Sequence, residues 1–383
     1  MTQEPLDITI IGGGASGLML AARLDLNGAR GIVLEGSSCL GSKLLMSGGG
    51  RCNITHGGSI KDFIYAYGDE GPALRRCLYR HNNTGLMEWF EGLGVDLTDE
   101  DGRVFPASGR SRDVLNALIG EAAANLWQIE TGTKVSGLRQ TDGVWEIELD
   151  GGFAFASRNV VVAAGGITYP ETGSDGSMLR MLEELGLDIA EPRPALAPVY
   201  VEDYPYAELA GISLHDVKVT AFDSGSPNTC KGKAAAMRGD ILFMHDGFSG
   251  PAVLNISKYA KAGEKLRLSY NKELTELPKR MQRLLADRAR GASGDVKTTV
   301  LAALLDHDDF VIKEVDRRGM VTTGGVSLDE IDMKTMRAKR FDGLYVIGEA
   351  LNADGMTGGY NLQMCWSTAS VCADCLRKSI DGC

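Results

Sequence analysis

The pattern of apolar and polar positions divides the chain into three stretches. Near the start, Asp7-Ile8-Thr9-Ile10-Ile11 is a short apolar run that stops at Gly12. Such a run bounded by turn residues reads as a buried strand. Residues 18–26 continue with helical spacing, and Gly31-Ile32-Val33-Leu34 is a second strand that ends in Glu35. Strand and helix patterns go on alternating to about residue 190, with helices predicted over 72–93, 113–126 and 176–186 and strands over 133–138, 144–149 and 159–164. Val160 to Ala164 is apolar throughout and runs into Gly165-Gly166, as a strand covered on both faces does. Pro192, Pro194 and Pro198 mark a change. Short β-type runs at 197–201, 217–222, 241–245 and 266–270 are followed by helical patterns at 273–290 and 297–305, with Gly291-Ala292-Ser293-Gly294 between them. Strand signals return at 320–326 and 344–347, and 358–380 is helical. The expected organisation is an α/β domain from residues 1–190 and 321–383, with 191–320 inserted, β-rich over 191–270 and helical over 271–310.

The junction of the first strand and helix carries a chemical signature. Gly12-Gly13-Gly14-Ala15-Ser16-Gly17 is G-x-G-x-x-G between strand and helix, and Glu35 closes the next strand. That arrangement binds a dinucleotide. Gly12 permits the tight turn, Gly14 admits the pyrophosphate, and Gly17 lets helix and strand pack closely. The helix start, at Ala15 and Ser16, presents unpaired N–H groups to the phosphates. Glu35 is placed to accept ribose hydroxyls.

Composition narrows the class further. The chain has 383 residues, 44% hydrophobic and 24% charged, the balance of a globular protein. It has no apolar run of transmembrane length and no signal-peptide pattern at its start, so no membrane association and a cytoplasmic location are expected. Eight cysteines lie scattered, and reduced thiols are the expectation; Cys372-x-x-Cys375 alone does not make a zinc site, so no metal is expected. Net charge is −11 overall but +6 over 258–297, where Lys279, Arg280, Arg283, Arg288 and Arg290 follow one helical pattern. Such a segment is either a solvated helical face or an RNA contact.

FAD is favoured over NAD as the resident dinucleotide. There is a single fingerprint, Ala164-Gly165 returns from a buried strand, and Tyr345-Val346-Ile347-Gly348-Glu349 is followed by Asp354. A helix opening at Gly358-Gly359-Tyr360-Asn361 would aim its N-terminus at the flavin pyrimidine and favour negative charge there. Three segments then resemble one family. Gly41 to Asn53 (GSKLLMSGGGRCN), Leu242 to Leu254 (LFMHDGFSGPAVL) and 321–363 are similar to the signatures of the BaiN/YhiN-type bacterial flavoproteins. The resemblance spans essentially the whole chain. It implies a Rossmann-like FAD-binding domain built from both chain ends, with an inserted β-barrel and a small helical part, reduced here because the insert is short. It also implies FAD contacts from Lys43, Gly50, Arg51, Cys52, Asn53, Val135, Gly348, Glu349, Asp354, Gly359, Tyr360, Asn361 and Leu362. Ser42 and Met364-Cys365 depart from the family pattern, which bears on substrate choice.

The chemistry implied by the resemblance is reduction of an activated carbon–carbon double bond, with steroid-type enones and ribosomal RNA uridine as the two substrate classes. No second fingerprint is present, so NAD(P)H is expected as a transient electron donor. The proton requires an acid within hydrogen-bond reach, and His245, Tyr360 and Cys52 are the candidates. Lys43 and Arg51 are read as neutralising phosphates or reduced flavin. A small conjugated substrate is the leading expectation; RNA contact through 258–297 is the alternative. An amine oxidase and a non-catalytic FAD-binding partner protein remain further readings.

Overall fold

The computed structural model describes residues 4–222, 234–289 and 295–380. These fold as two compact units, residues 1–193 with 321–383 and residues 194–320. Cys230, Arg290, Cys383 and the 291–294 spacer lie outside the described residues.

The first unit is built on a nine-stranded sheet. Its centre is parallel, in the order Leu344–Val346, Ala154–Val162, Leu6–Ile11, Gly31–Glu35 and Gln128–Thr131. The central strands are apolar on both faces because helices cover them: Ile8, Ile10, Val33, Val160, Val161 and Val346 are all buried. The first strand lies between one from the chain's middle and the second strand, so N- and C-terminal parts share one core. Helices Ala15–Arg23 and Tyr360–Ile380 pack together. The hairpin Val135–Thr141 and Val144–Leu149 extends the sheet through Ala154–Val162. A smaller antiparallel sheet is formed by Thr55–His56, Arg103–Pro106 and Leu97–Glu100.

The predicted helix over 72–93 is two helices, Gly71–Arg80 and Asn83–Gly92. Asn82 ends the first pattern: its side chain accepts the Gly85 N–H at 2.9 Å and caps the second helix. The C-terminal helix starts at Tyr360, after Gly358 and Gly359 at φ +120° and +99°. Of the cysteines, Cys39, Cys52, Cys77, Cys365, Cys372 and Cys375 are free.

The second unit is a closed six-stranded barrel, in the order Val199–Val201, Gly247–Ser249, Ala234–Phe243, Ser213–Phe222, Lys265–Ser269 and Asp308–Val315. The last strand corrects the helical expectation over 271–310. Asp308, Phe310 and Ile312 point inward while Val311 and Lys313 point out, the period of a strand. Helices Lys279–Arg288 and Asp295–Asp306 precede it. Inside this unit Asp308, fully buried, accepts from the hydroxyls of Tyr206 and Tyr270 at 2.5 Å each and pairs with Arg288 at 2.6 Å. Burial pushes the Asp308 carboxyl up, against the pull of Arg288 and the two hydroxyls.

Candidate active site

The glycine loop divides into two kinds of position. At Gly12, φ is +110° and a Cβ would stand 2.4 Å from the Ala163 carbonyl oxygen. At Gly17 a Cβ would stand 1.9 Å from the Gly12 oxygen. These two glycines let the chain pack on itself. Gly14 differs: nothing lies within 4 Å of its Cβ position. The helix that begins at Ala15 has no side-chain cap from Gly14 and no acid in its first turn. Open space in front of unpaired N–H groups is what a pyrophosphate requires.

Glu35 stands beside this loop, 7% exposed at the end of its strand. Its Oε2 accepts the Gly13 N–H and its Oε1 the Ser37 N–H, both at 2.8 Å. Each oxygen keeps capacity for another donor, such as a ribose hydroxyl. Nearby, the Ser174 hydroxyl is buried without a hydrogen-bond partner. It packs on Gly165, where a Cβ would come within 2.7 Å of it, and its neighbour Gly173 would bring a Cβ to 3.3 Å from Glu35 Oε1. A buried orphan hydroxyl beside the acid and the return turn Ala164-Gly165 suits a polar ligand. The residues therefore fit the adenosine and pyrophosphate portion of FAD. Val135, buried at the start of its strand, follows the strand that pairs with Glu35's.

Gly348 joins the late motif to the loop. Its φ is +67°, and a Cβ there would lie 1.9 Å from Ser16 Oγ and 3.5 Å from Cys365 Sγ. Glu349 is thereby held next to Lys43, whose Nζ is 2.8 Å from both carboxylate oxygens and 2.7 Å from Thr168 Oγ1. Thr322 N–H donates to Glu349 Oε1 at 2.7 Å. The charge of Lys43 is thus answered by Glu349 within the protein. Asp354 is buried. Asn361 closes the loop before the C-terminal helix, accepting from the Gly355 N–H and donating to the Gly355 carbonyl, each at 2.8 Å. Leu362 packs against the main core.

The segment around Gly50 meets the start of that helix. With its amide turned so that the nitrogen faces the carbonyls of Thr55 and Val104, Asn53 donates to both and accepts the Gly359 N–H at 3.1 Å. Arg51 pairs with Glu100 and lies 4.2 Å over the Phe105 ring. Gly50 and Cys52 both have positive φ, +88° and +61°. Cys52 is fully buried, and burial pushes its thiol up to about 12 against a hydrogen bond with Ser47. A thiol held that high, with no exposed surface, is a weak candidate for delivering a proton.

Tyr360 is half-buried, and burial together with the Asp62 carboxylate raises its phenol. Tyr67 donates its hydroxyl to the Tyr360 carbonyl at 2.7 Å. Phe63 meets the Tyr360 ring edge-on at 5.0 Å, and His56 stacks on it at 5.0 Å and 13°. His56 carries no sequence signal of its own; only the pairing of Thr55–His56 with Arg103–Pro106 brings it to this helix start. His245 is placed differently. It is exposed, in the turn between Ala234–Phe243 and Gly247–Ser249 of the second unit. The first unit thus brings together the dinucleotide loop, the Lys43–Glu349 pair, Cys52 and Tyr360, and His245 belongs to the other unit.

Comparison with known proteins is consistent across the chain's length. The description "HI0933-like protein Rossmann domain" matches residues 6–375. The chain is 29% identical to the ribosomal RNA dihydrouridine synthase of Haemophilus influenzae, over 95% of this chain and 96% of that one. It is 28% identical to the 3-dehydro-bile acid delta(4,6)-reductase of Clostridium scindens, over 94% and 96%. Among solved structures it shares a fold with a 3-ketosteroid-delta4-(5alpha)-dehydrogenase from Rhodococcus jostii RHA1, with a TM-score of 0.56, 14% identity and coverage of 97% and 98%.

Proposed function

The chain belongs to the HI0933-like family with a Rossmann domain, and from this premise we propose that it is an FAD-dependent reductase of an activated carbon–carbon double bond. The observation that carries the cofactor is the open position at Gly14, next to an uncapped helix start, a buried acid and an orphan hydroxyl. Support for the reaction comes from two full-length relatives whose names, a dihydrouridine synthase and a delta(4,6)-reductase, both denote saturation of a conjugated double bond. When bound, FAD supplies the hydride equivalent. The residues that would hold FAD are Gly14 and the helix start for the pyrophosphate and Glu35 for the ribose. The N-terminus of the Tyr360–Ile380 helix would supply partial positive charge that favours an anion on the flavin. NAD(P)H, visiting transiently, is the donor that reloads the site.

A small conjugated molecule is the favoured substrate class. Three of the eleven basic residues in 258–297 are paired within the second unit: Lys265 and Arg267 with Asp309, and Arg288 with Asp308. A second reading, ribosomal RNA as substrate, is favoured by the relatives' names and by Lys279, Arg280 and Arg283, which are exposed on one helix. The test is anaerobic. Photoreduced, FAD-loaded protein is mixed separately with 4-androstene-3,17-dione, with 2-cyclohexen-1-one and with deproteinised ribosomal RNA, and the oxidised flavin absorbance is followed. Reoxidation by an enone with a saturated product supports the first reading. Reoxidation by RNA alone, matched by dihydrouridine and weakening steeply with salt, supports the second. A flavin that none of the three reoxidises counts against double-bond reduction.

A further inference from the structure

Resting on the reading of this site as one where a double bond takes up a hydride and a proton, we infer that His56 is its proton donor, acting from Nε2. The geometry prepares this nitrogen in three ways. First, the tautomer is set. Nδ1 lies 2.8 Å from the Gly57 carbonyl oxygen, which only accepts, so Nδ1 keeps its hydrogen and Nε2 is the nitrogen that exchanges a proton. Second, Nε2 has no hydrogen-bond partner among the described residues, and the backbones of two glycines pack against the edge of the ring where a side chain would collide with it. A Cβ on Gly102 would come within 2.5 Å of Cε1 and 2.9 Å of Nε2, and one on Gly358 within 3.3 Å of Cδ2. Both have left-handed φ, +83° and +120°. Third, the ring is held. It stacks on Tyr360, Asn83 donates to the His56 carbonyl at 3.0 Å, and Thr55 bonds Gln363 of the C-terminal helix at 2.6 Å.

The charged and titratable groups around the ring come from four elements. Tyr360 lies against its face, with Asp62 acting on that phenol and Tyr67 bonded to the Tyr360 carbonyl. Asp99 bonds the Gly102 N–H at 2.7 Å, and Arg103 is the strand partner of His56. The tyrosine is the obvious rival, but burial and Asp62 make its phenol hold its proton harder. Imidazole is the side chain most often used as a general acid. In the step, the carbon–carbon π bond breaks. The β-carbon takes the hydride from reduced flavin, and the α-carbon forms its C–H bond with the Nε2 proton. The N–H electron pair stays on the ring, which becomes neutral and is reprotonated by solvent.

The test uses the FAD-loaded full chain with His56→Gln, His56→Phe and Tyr360→Phe, each checked for FAD content. In the reoxidation assay with 2-cyclohexen-1-one, 4-androstene-3,17-dione and ribosomal RNA, the wild-type rate should fall as pH rises through one ionisation. His56→Gln and His56→Phe, the latter preserving the stack, should lose that limb and slow by about 10²- to 10⁴-fold, while Tyr360→Phe keeps the limb. A His56→Gln protein that keeps the limb, or slows by less than about threefold, overturns the inference. A second readout needs no turnover: nitrogen NMR of the His56 ring in the loaded protein before and after flavin reduction. A titration of Nε2 that moves on reduction supports the assignment, and one that stays fixed overturns it. If no acceptor reoxidises the wild type, the proposed reaction fails, and the NMR result decides His56 alone.

Discussion

Alanine at Gly14 and at Gly17 should have opposite consequences, because one glycine leaves space for a ligand and the other for the protein. At Gly17 the new carbon would lie 1.9 Å from the Gly12 oxygen and 3.2 Å from an Ile10 methyl. A relaxed carbon–oxygen contact is ~3.3 Å, so the helix must move off the strand. Overpacking of this kind costs about 1–3 kcal/mol, and it acts on the FAD-free protein. At Gly14 nothing lies within 4 Å. The FAD-free protein should lose only ~0.5 kcal/mol, the small preference for glycine over alanine at a helix cap. The added methyl instead obstructs the pyrophosphate. A loss of about 2 kcal/mol there weakens FAD binding ~30-fold and removes the same amount from FAD-induced stabilisation. Flavin fluorescence titration gives the affinity, and denaturant unfolding of the FAD-free chain gives the stability. The reasoning is refuted if Gly14→Ala binds FAD within about threefold of wild type, or if it destabilises the FAD-free protein as much as Gly17→Ala does.

Three further outcomes follow from the polar networks. Lys43→Met leaves Glu349 with only Thr168 and the Thr322 N–H; both partners retain some exposure, 25% and 15%, so a loss of about 2 kcal/mol is expected rather than the 3–5 of a fully buried pair. Lys43→Met combined with Glu349→Gln should recover most of that in the same denaturation assay. Asp308→Ala leaves Arg288 and the Tyr206 hydroxyl with each other and removes the buried acceptor of Tyr270; with Arg288 28% exposed, a loss of about 2–3 kcal/mol is expected, read as a lower denaturant midpoint for the second unit. Burial would raise the Asp374 carboxyl, but His81, Arg80 and Arg377 outweigh it and hold it below 3.8. Its stabilisation is present above the unfolded value and is lost as pH falls through the lower folded one. Asp374→Asn should therefore flatten the acid limb of a stability–pH curve below about pH 4 and leave its shape above that unchanged.

The parts of the fold that repeat a period were legible, and those made by single contacts were not. Continuous apolar runs such as Val160 to Ala163 announce buried parallel strands, because only a strand covered on both faces is apolar at every position. The strand Asp308–Val315 was missed because its acids and apolar residues alternate directly after a helical pattern, and the inward acid reads as solvent-facing until Tyr206, Tyr270 and Arg288 are seen to surround it. In the candidate site, the loop glycines and Glu35 were legible because chain geometry alone dictates them. Ser174 and His56 were not. One is defined by a missing partner and the other by a two-residue strand, neither of which leaves a pattern along the chain. Arg51, read as neutralising phosphates or reduced flavin, stands against Glu100 and Phe105 on a neighbouring hairpin, contacts that leave no pattern along the chain. Lys43 likewise meets Glu349, so its charge is largely balanced within the protein.

Anaerobic reoxidation of the photoreduced, FAD-loaded protein tests the central claim most directly. The account predicts that an acceptor with a conjugated double bond restores the oxidised flavin spectrum, with one saturated product formed per flavin. Because a small substrate is favoured, an enone should act more readily than ribosomal RNA. A flavin that stays reduced with every conjugated acceptor, or that returns to the oxidised state only with oxygen, would contradict it.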